Sequence, residues 1–496
     1  MPQAHAIQRR RLRAILERNA ATEYGRRYGF VSIRDEREYR SRVPVVSYES
    51  LSSYVDRIAG GEQDVLFPGR ATAFEETGGT TRGPKLVPYT EAGLEAFRRA
   101  LLPWLDDLAN AHPQITAGRA YWAISPIARA SRKTAGEIPI GLPGEAAYFG
   151  EALGPQVLST LAVPPEVGAI ADVDAWREAT CLHLLACDDL ALISVWSPTF
   201  LSGLLAHIGR FGERLSDLLA AQSSAFRARP ARVAFLRERL RQADPDPASL
   251  WPRLQLVSCW DQGSSLTYAK LLRKRLGAVK VQGKGLLATE GVVSIPLQEF
   301  SMPVLAVDSG YFEFVDDAGR CLTAAEVTPG EDYEVLMTTE SGLYRYAIGD
   351  RVRVRGFAGE APTLEFLGRG AYCSDLCGEK LTEHLVLASI APLALRFAML
   401  APADEPGYLL FVDADEVAPE KSAALALSTE SALSANPQYA YARTLGQLAP
   451  VEVRRCVRPL ETWFAWGLVR GQRLGDIKPP ALSPEPKWQL RFEAAA

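Results

Sequence analysis

The chain has 496 residues, of which 47% are hydrophobic and 23% charged, enough for two or more folding units around a sizeable core. A net charge of −4 argues against a general nucleic-acid binder, which neutralises many phosphates and is usually basic. Seven scattered cysteines, an odd number, point to reduced thiols in a cytosolic protein.

The N-terminal stretch "MPQAHAIQRRRLRAILERN" is rich in arginine but lacks the apolar run of a signal peptide. Leu12, Ile15 and Leu16 instead form a helical stripe, and residues 1–60 read as helical. Within them "PVVSYESLSSYVDRIAGG" predicts a capped helix closed by Gly61. Residues 71–89 read as strand, glycine turn, strand, after which Thr90 can cap a helix carrying Leu94, Phe97, Leu101 and Leu108 on one side. The uncharged run "LALISVWSPTFLSGLLAHIG" (190–209) is long enough to span a bilayer. Pro198 interrupts it, however, and β-branched Ile193 and Val195 precede the proline. It predicts a buried strand, a turn at Ser197 and Pro198, then a helix, and no membrane partner. Strands dominate 250–355, and "RVRVRGF" alternates as a strand with one wet face does. Past "EFLGRG" a helix from about Glu383, the strands "LRFAMLAP" and "GYLLFVDAD", a helix over 417–434 and the strand "PVEVRRCV" make a compact α+β unit. Two domains are expected, 1–368 and 369–496. Cys373 and Cys377, in "CSDLC", come nearest to a metal pair, but no second pair follows.

The stretch "EETGGTTRGPKLVP" (75–88) sets hydroxyls and bare backbone beside one positive charge. A Walker loop needs Gly-Lys followed by Ser or Thr at the opening of a helix. Here Pro84 separates Gly83 from Lys85, Leu86 follows, and "KLVPY" reads as a strand, so any phosphate ligands lie on a hairpin loop. Thr77, Thr80 and Thr81 would donate hydroxyls, Gly78, Gly79 and Gly83 would allow close backbone approach, and Lys85 would add charge. A plain glycine-rich hairpin is the alternative. Further on, "QGKGLLATEGVVSIP" (282–296) holds a single carboxylate, Glu290, after Thr289, and "TTESGLYRYAIGDRVRV" (338–354) closes an aromatic-basic run with Gly349 and Asp350. Taken singly, Glu290 could end a strand or helix and Asp350 could be a turn residue.

In that order the three stretches resemble the adenylate-forming superfamily, whose phosphate loop reads T-S-G-T-T-G-x-P-K and whose second and third motifs end in T-E and G-D. "TGGTTRGPK", "ATE" and "IGD" match them. "GLYRYAIGD" (342–350) is similar, more narrowly, to the third motif of the auxin-responsive Gretchen Hagen family of acyl-acid amido synthetases. "RVPVVSYESLSSYVDRIAGGE" (43–63), "ISVWSPTFL" (193–201), "GLLATEG" (285–291), like the bacterial branch, and "GQRLGDIKPPALS" (471–483) extend the likeness over nearly the whole chain. The resemblance implies an α/β fold, with a large N-terminal domain of mixed sheets and a smaller α+β C-terminal lid. Two departures from the pattern matter. Leu286 stands where an adenine-stacking aromatic is usual, so stacking would be aliphatic or supplied elsewhere, and Gly78 replaces a serine.

The expected reaction joins a carboxylic acid to ATP, giving acyl-AMP and pyrophosphate, and then passes the acyl group to an amine or amino acid. Attack at the α-phosphorus is mostly a matter of positioning and charge neutralisation. The loop and Lys85 suit the β- and γ-phosphates. Glu290 suits Mg²⁺, a hard ion that favours a carboxylate with waters and phosphate oxygens, and Thr289 beside it joins the nucleotide-binding set. Asp350 suits the ribose hydroxyls. The resemblance implies the same roles, places Tyr344 of the third motif in the nucleotide-binding set, and makes Lys380 a catalytic lysine just past a hinge. Lys478, in "GDIKPP", would meet the charge growing between carboxylate and α-phosphate. Otherwise Lys478 is a surface lysine, and Lys380 a partner of Glu379 or Glu383. The amine must lose a proton; His183, His207 and His384 are candidates by residue type alone. Trp196 and Trp260 lie on stretches expected to border the acyl site, or else are core. Coenzyme A as acceptor, or a nucleotide-binding relative without catalysis, are the rival readings.

Overall fold

The run at 190–209 folds as its sequence predicts, into a strand, Leu190–Ser194, followed by a helix, Pro198–Ala220. In the computed structural model, which describes residues 4–77, 85–122, 132–142, 145–221, 228–242, 244–370, 373–472 and 474–494, that strand lies inside a parallel sheet. The order is Arg119–Trp122, Leu190–Ser194, Leu256–Cys259, Lys280–Gly283. Strands covered on both faces need near-continuous apolar runs, and Leu190–Ser194 and Leu256–Cys259 are buried throughout. Among the described residues no helix is long and apolar enough to cross a membrane.

The chain divides into two compact units. The first holds Met1–Trp196, Ser202–Cys259 and Leu276–Phe366, and the second Ser197–Leu201, Trp260–Arg275 and Leu367–Ala496. Sequence order put the division at 368. Packing sets it two residues earlier in the same strand, Ala361–Arg369, between Phe366 and Leu367, and adds two internal segments to the second unit. The turn Gly263–Ser265, for example, packs on the helix Glu383–Ile390 of that unit.

In the first unit a seven-stranded sheet runs in the order Ser294–Ile295, Val304–Leu305, Ala361–Arg369, Tyr346–Ala358, Asp332–Thr338, Tyr311–Val315, Cys321–Thr323. Val352 and Val354 are buried between more exposed Arg351, Arg353 and Arg355, which is the alternation "RVRVRGF" predicts. The helix Ala4–Asn19 sits on this sheet by its apolar stripe. Its buried Gln8 donates to the carbonyls of Val307 and Gly310 and accepts from Phe312 N–H at 2.9 Å. The helix Tyr48–Ala59 is closed by Gly61, as its sequence predicts: just past the cap Gly60 it is left-handed at φ +98°, its N–H donates to Ile58 O at 2.9 Å, and Glu62 N–H donates to Arg57 O at 3.1 Å. Thr90 caps Glu91–Ala111 by accepting from Gly93 N–H at 3.0 Å.

The second unit is built on a three-stranded sheet, in which Ala398–Pro402 is antiparallel and Glu452–Cys456 parallel to Tyr408–Asp413. The helix expected over 417–434 spans Ser422–Leu433. A further helix, Pro437–Thr444, follows under an Asn436 cap.

Candidate active site

The hairpin that carries the glycine-threonine loop is present. Ala73–Thr77 pairs antiparallel with Lys85–Tyr89, and Thr77 lies opposite Lys85. Gly78, Gly79, Thr80, Thr81 and Gly83 lie outside the described residues, as does the side chain of Thr77. Lys85 is held from the side by the start of the helix Tyr48–Ala59. Its Nζ lies 3.7 Å from Glu49 and 5.1 Å from the centre of the Tyr48 ring. Tyr48 in turn clips the strand, since its hydroxyl accepts from Leu86 N–H at 2.9 Å and donates to Leu86 O at 3.2 Å. The motif "VVSYES" therefore orients Lys85, a role its sequence did not advertise.

Thr289 and Glu290 form the tip of a small hairpin between Leu287–Ala288 and Gly291–Val292. Tyr89, at the far end of the Lys85 strand, donates to Thr289 O at 2.8 Å and so couples the two hairpins. Glu290 Oε1 accepts from the Tyr346 hydroxyl at 3.3 Å. Burial first, and then the charge of Glu290, push the Tyr346 phenol well above its ordinary range, which keeps it a donor. The Tyr48 phenol is also raised, chiefly by burial, and it feels both Glu49 and Glu290. Lys85, Tyr48, Glu49, Glu290 and Tyr346 thus make one electrostatic cluster.

Asp350 stands on the Tyr346 strand, almost wholly buried. Leu336 is opposite Ala347 and Glu334 is opposite Arg351, so four steps on one strand face two on its neighbour. Such a bulge re-aims side chains and is common beside functional sites. Gly349 occupies it at φ +77°, with nothing within 4 Å of where a Cβ would stand. The backbone conformation alone explains the glycine of "GD".

Tyr344 is placed differently from its expected role. It is fully buried in the helical core, stacked on Tyr24 at 4.9 Å, and its hydroxyl donates to Leu66 O at 2.5 Å. It is a packing residue, because the left-handed Arg345 (φ +48°) that follows turns the chain and brings Tyr346 to Glu290 instead. Arg345 is anchored by Glu313 at 2.9 Å and by the carbonyls of Arg40 and Val43. Leu286 is also buried, in the apolar cluster with Val293 and Val304.

In the second unit Lys478 follows the buried Ile477, and its Nζ lies 4.9 Å from the Trp260 ring centre. Lys380 is exposed and left-handed at φ +46°. Among the described residues it pairs with neither Glu379 nor Glu383. Glu379 is fully buried, accepts from the N–H groups of Leu376 (2.8 Å) and Cys377 (2.7 Å) and from the Tyr408 hydroxyl, while Asn436 donates to its carbonyl. Glu383 accepts from Ala481 N–H at 3.3 Å.

The models of the GH3 family N-terminal domain and central domain match residues 1–281 and 303–369. The chain belongs to the GH3 family. It is an adenylate-forming ligase of the acyl-acid amido synthetase type, an ATP-using enzyme acting on small molecules. It is 28% identical to the probable indole-3-acetic acid-amido synthetase GH3.12 of Oryza sativa subsp. japonica, over 76% of this chain and 71% of that protein. To jasmonoyl--L-amino acid synthetase JAR6 of Nicotiana attenuata it is 26% identical, over 79% and 74% respectively. In structure it resembles the GH3.15 acyl acid amido synthetase, with TM-score 0.84 at 21% identity over 99% of this chain and 94% of the other. It also resembles 2-hydroxyisobutyryl-CoA ligase in its postadenylation state, with TM-score 0.56 at 14% identity over 92% and 87%.

In this GH3 chain the three candidate histidines sit apart in character. His183 and His207 lie on the helices Val173–Ala186 and Pro198–Ala220, and burial lowers both imidazoles below their usual range. His207 packs on Phe211 at 4.7 Å. His384 is exposed on Glu383–Ile390. None is singled out as a base. Tyr346 and Tyr48 are the residues that sequence reasoning missed. A tyrosine inside an aromatic motif reads as core, and only the left-handed turn at Arg345 separates Tyr346 from Tyr344.

Proposed function

We propose that the Lys85–Glu290–Tyr346 cluster binds the triphosphate and that Asp350 holds the ribose. The observation that carries this reading is the coupling of three motifs far apart in sequence: Lys85, Glu290 and the Tyr346 strand meet through Tyr48, Tyr89 and Tyr346. Lys85 would pair with the β- and γ-phosphates, beside the hydroxyls of Thr77, Thr80 and Thr81 and the backbone of Gly78 and Gly79. Mg²⁺ fits the donor set, because this ion takes one or two carboxylates and completes its shell with waters and phosphate oxygens. Glu290 would hold it, with Tyr346 steadying the carboxylate, and the ion would neutralise triphosphate charge when bound. The residues from Leu367 onward would act as the C-terminal lid, and Lys478 and Lys380 would contribute positive charge near the reacting carboxylate.

An oxygen of the substrate carboxylate attacks the α-phosphorus, the bond to the bridging oxygen of pyrophosphate breaks, and acyl-AMP remains. A neutral amine nitrogen then attacks the acyl carbonyl, AMP departs, and the amine gives up a proton as the amide forms. The relatives named for indole-3-acetic acid and for jasmonoyl–amino acid products support a small organic acid as donor and an amino acid as acceptor. The test is ATP–pyrophosphate exchange over a panel of carboxylic acids, followed by mass spectrometry with mixed amino acids and, separately, coenzyme A. Amine-dependent AMP release is expected, and thiol-dependent release would make it a CoA ligase instead. Lys478→Ala should cut exchange by about 10²-fold or more while ATP still binds, the loss typical of one preorganised charge partner. Near-normal exchange in that variant would remove Lys478 from the chemistry.

A further inference from the structure

Lys284 is charged, 7% exposed, and has no part in the reading above. It lies one residue beyond the carboxyl end of the strand Lys280–Gly283. Its Nζ donates at 2.7 Å to Oγ of Ser194, the last residue of Leu190–Ser194 in the same parallel sheet. Two indoles face the ammonium, Trp196 at 5.0 Å and Trp104 at 5.6 Å from their ring centres. Trp104 is fixed by its Nε1–H, which donates to Gln282 Oε1 at 2.9 Å, and it meets Trp122 edge-on at 6.4 Å. Trp122 ends the strand Arg119–Trp122 and packs on Phe149. The root of the loop is pinned as well. Gly285 is left-handed at φ +77°, and a Cβ there would stand 2.3 Å from Ser294 O.

An ammonium taken from water carries a penalty of several kcal/mol, which aromatic faces and hydrogen bonds must offset. A methionine would fill the same volume without that penalty. The cation stands at the carboxyl ends of parallel strands, where open α/β sheets bind their ligands. The indole of Trp196 beside it is only half-buried, as is that of Trp122, which meets Trp104. We infer that Lys284 is a specificity-determining residue of the acyl-acid subsite. It selects flat, aromatic acids that carry a second anionic or hydrogen-bond-accepting substituent, held between the indoles with that substituent on the ammonium. This rests on the adenylation reading.

The test compares benzoate, 4-hydroxybenzoate and terephthalate in two assays on the full chain: calorimetric binding and ATP–pyrophosphate exchange. The wild type should bind the two substituted acids more tightly than benzoate. Lys284→Met should erase that preference by about tenfold or more, as loss of a hydrogen bond to a charged group implies, and leave benzoate and ATP affinity in place. Lys284→Arg should keep part of the preference, and Trp196→Leu should weaken all three acids alike, which gives two further readouts if the methionine variant misfolds. A wild type without the preference, or a uniform loss for every acid in Lys284→Met, overturns the assignment. Selective binding without exchange would uphold Lys284 and strike the adenylation reading, whereas exchange without selectivity would do the reverse.

Discussion

Tyr346 fixes one oxygen of Glu290, Oε1, and a carboxylate with one oxygen already fixed is better placed for the hard cation we propose for it. The phenol is pushed upward by burial and by Glu290 itself, so it stays protonated through the neutral range and donates throughout. Tyr346→Phe removes the donor and keeps the ring. It should lower kcat/KM for exchange by about tenfold, corresponding to one charge-assisted hydrogen bond, and raise the Mg²⁺ concentration for half-maximal rate. An unchanged Mg²⁺ response would detach Tyr346 from the metal position. Tyr344→Phe breaks the bond to Leu66 O in the core and would appear in stability rather than in that response.

The elements around the site follow backbone rules that can be read locally once they are seen. The strand Tyr346–Ala358 carries its bulge where Gly349 takes φ +77°, a conformation that costs an L-residue about 1 kcal/mol or more. Gly349→Ala meets no neighbour, so the strain should relax by straightening the bulge and turning Asp350. The expected outcome is a rise of about tenfold in KM for ATP with a loss of only about 1 kcal/mol in urea unfolding. A stability loss with KM intact would separate the bulge from the nucleotide. The bulge was not legible beforehand, because "GLYRYAIGDRVRV" alternates well enough to pass for an uninterrupted strand. Its glycine was conspicuous, but a glycine does not say whether it serves a turn, a bulge or a close approach.

For the molecule as a whole, chain order and packing disagree about where one unit stops. Ser197–Leu201 and Trp260–Arg275 belong with Leu367–Ala496, and Gly263–Ser265 packs on Glu383–Ile390. A fragment cut at 368 would therefore keep two segments deprived of the unit they pack in. It should aggregate or melt well below the full chain in thermal unfolding, while the uncut protein melts normally. A fragment as stable as the whole would mean that these segments need no partner.

The residues alone pointed to the chemistry. Thr289 and Glu290, Gly349 and Asp350, Lys85 and Lys478 are the groups on which the proposed chemistry rests, and their charge and spacing are on display before the chain folds. They also determined most elements, since the buried strand at Leu190–Ser194 and the capped helix after Thr90 depend on local apolar pattern and one side-chain hydrogen bond. Tertiary structure decided the rest: that Tyr346 and not Tyr344 meets Glu290, that Leu286 packs inside, and that Trp196 and Trp104 close over Lys284. Each of these depends on which face a side chain is turned to by a left-handed residue, a bulge or a neighbouring strand. Those are consequences of three-dimensional packing that no local pattern encodes.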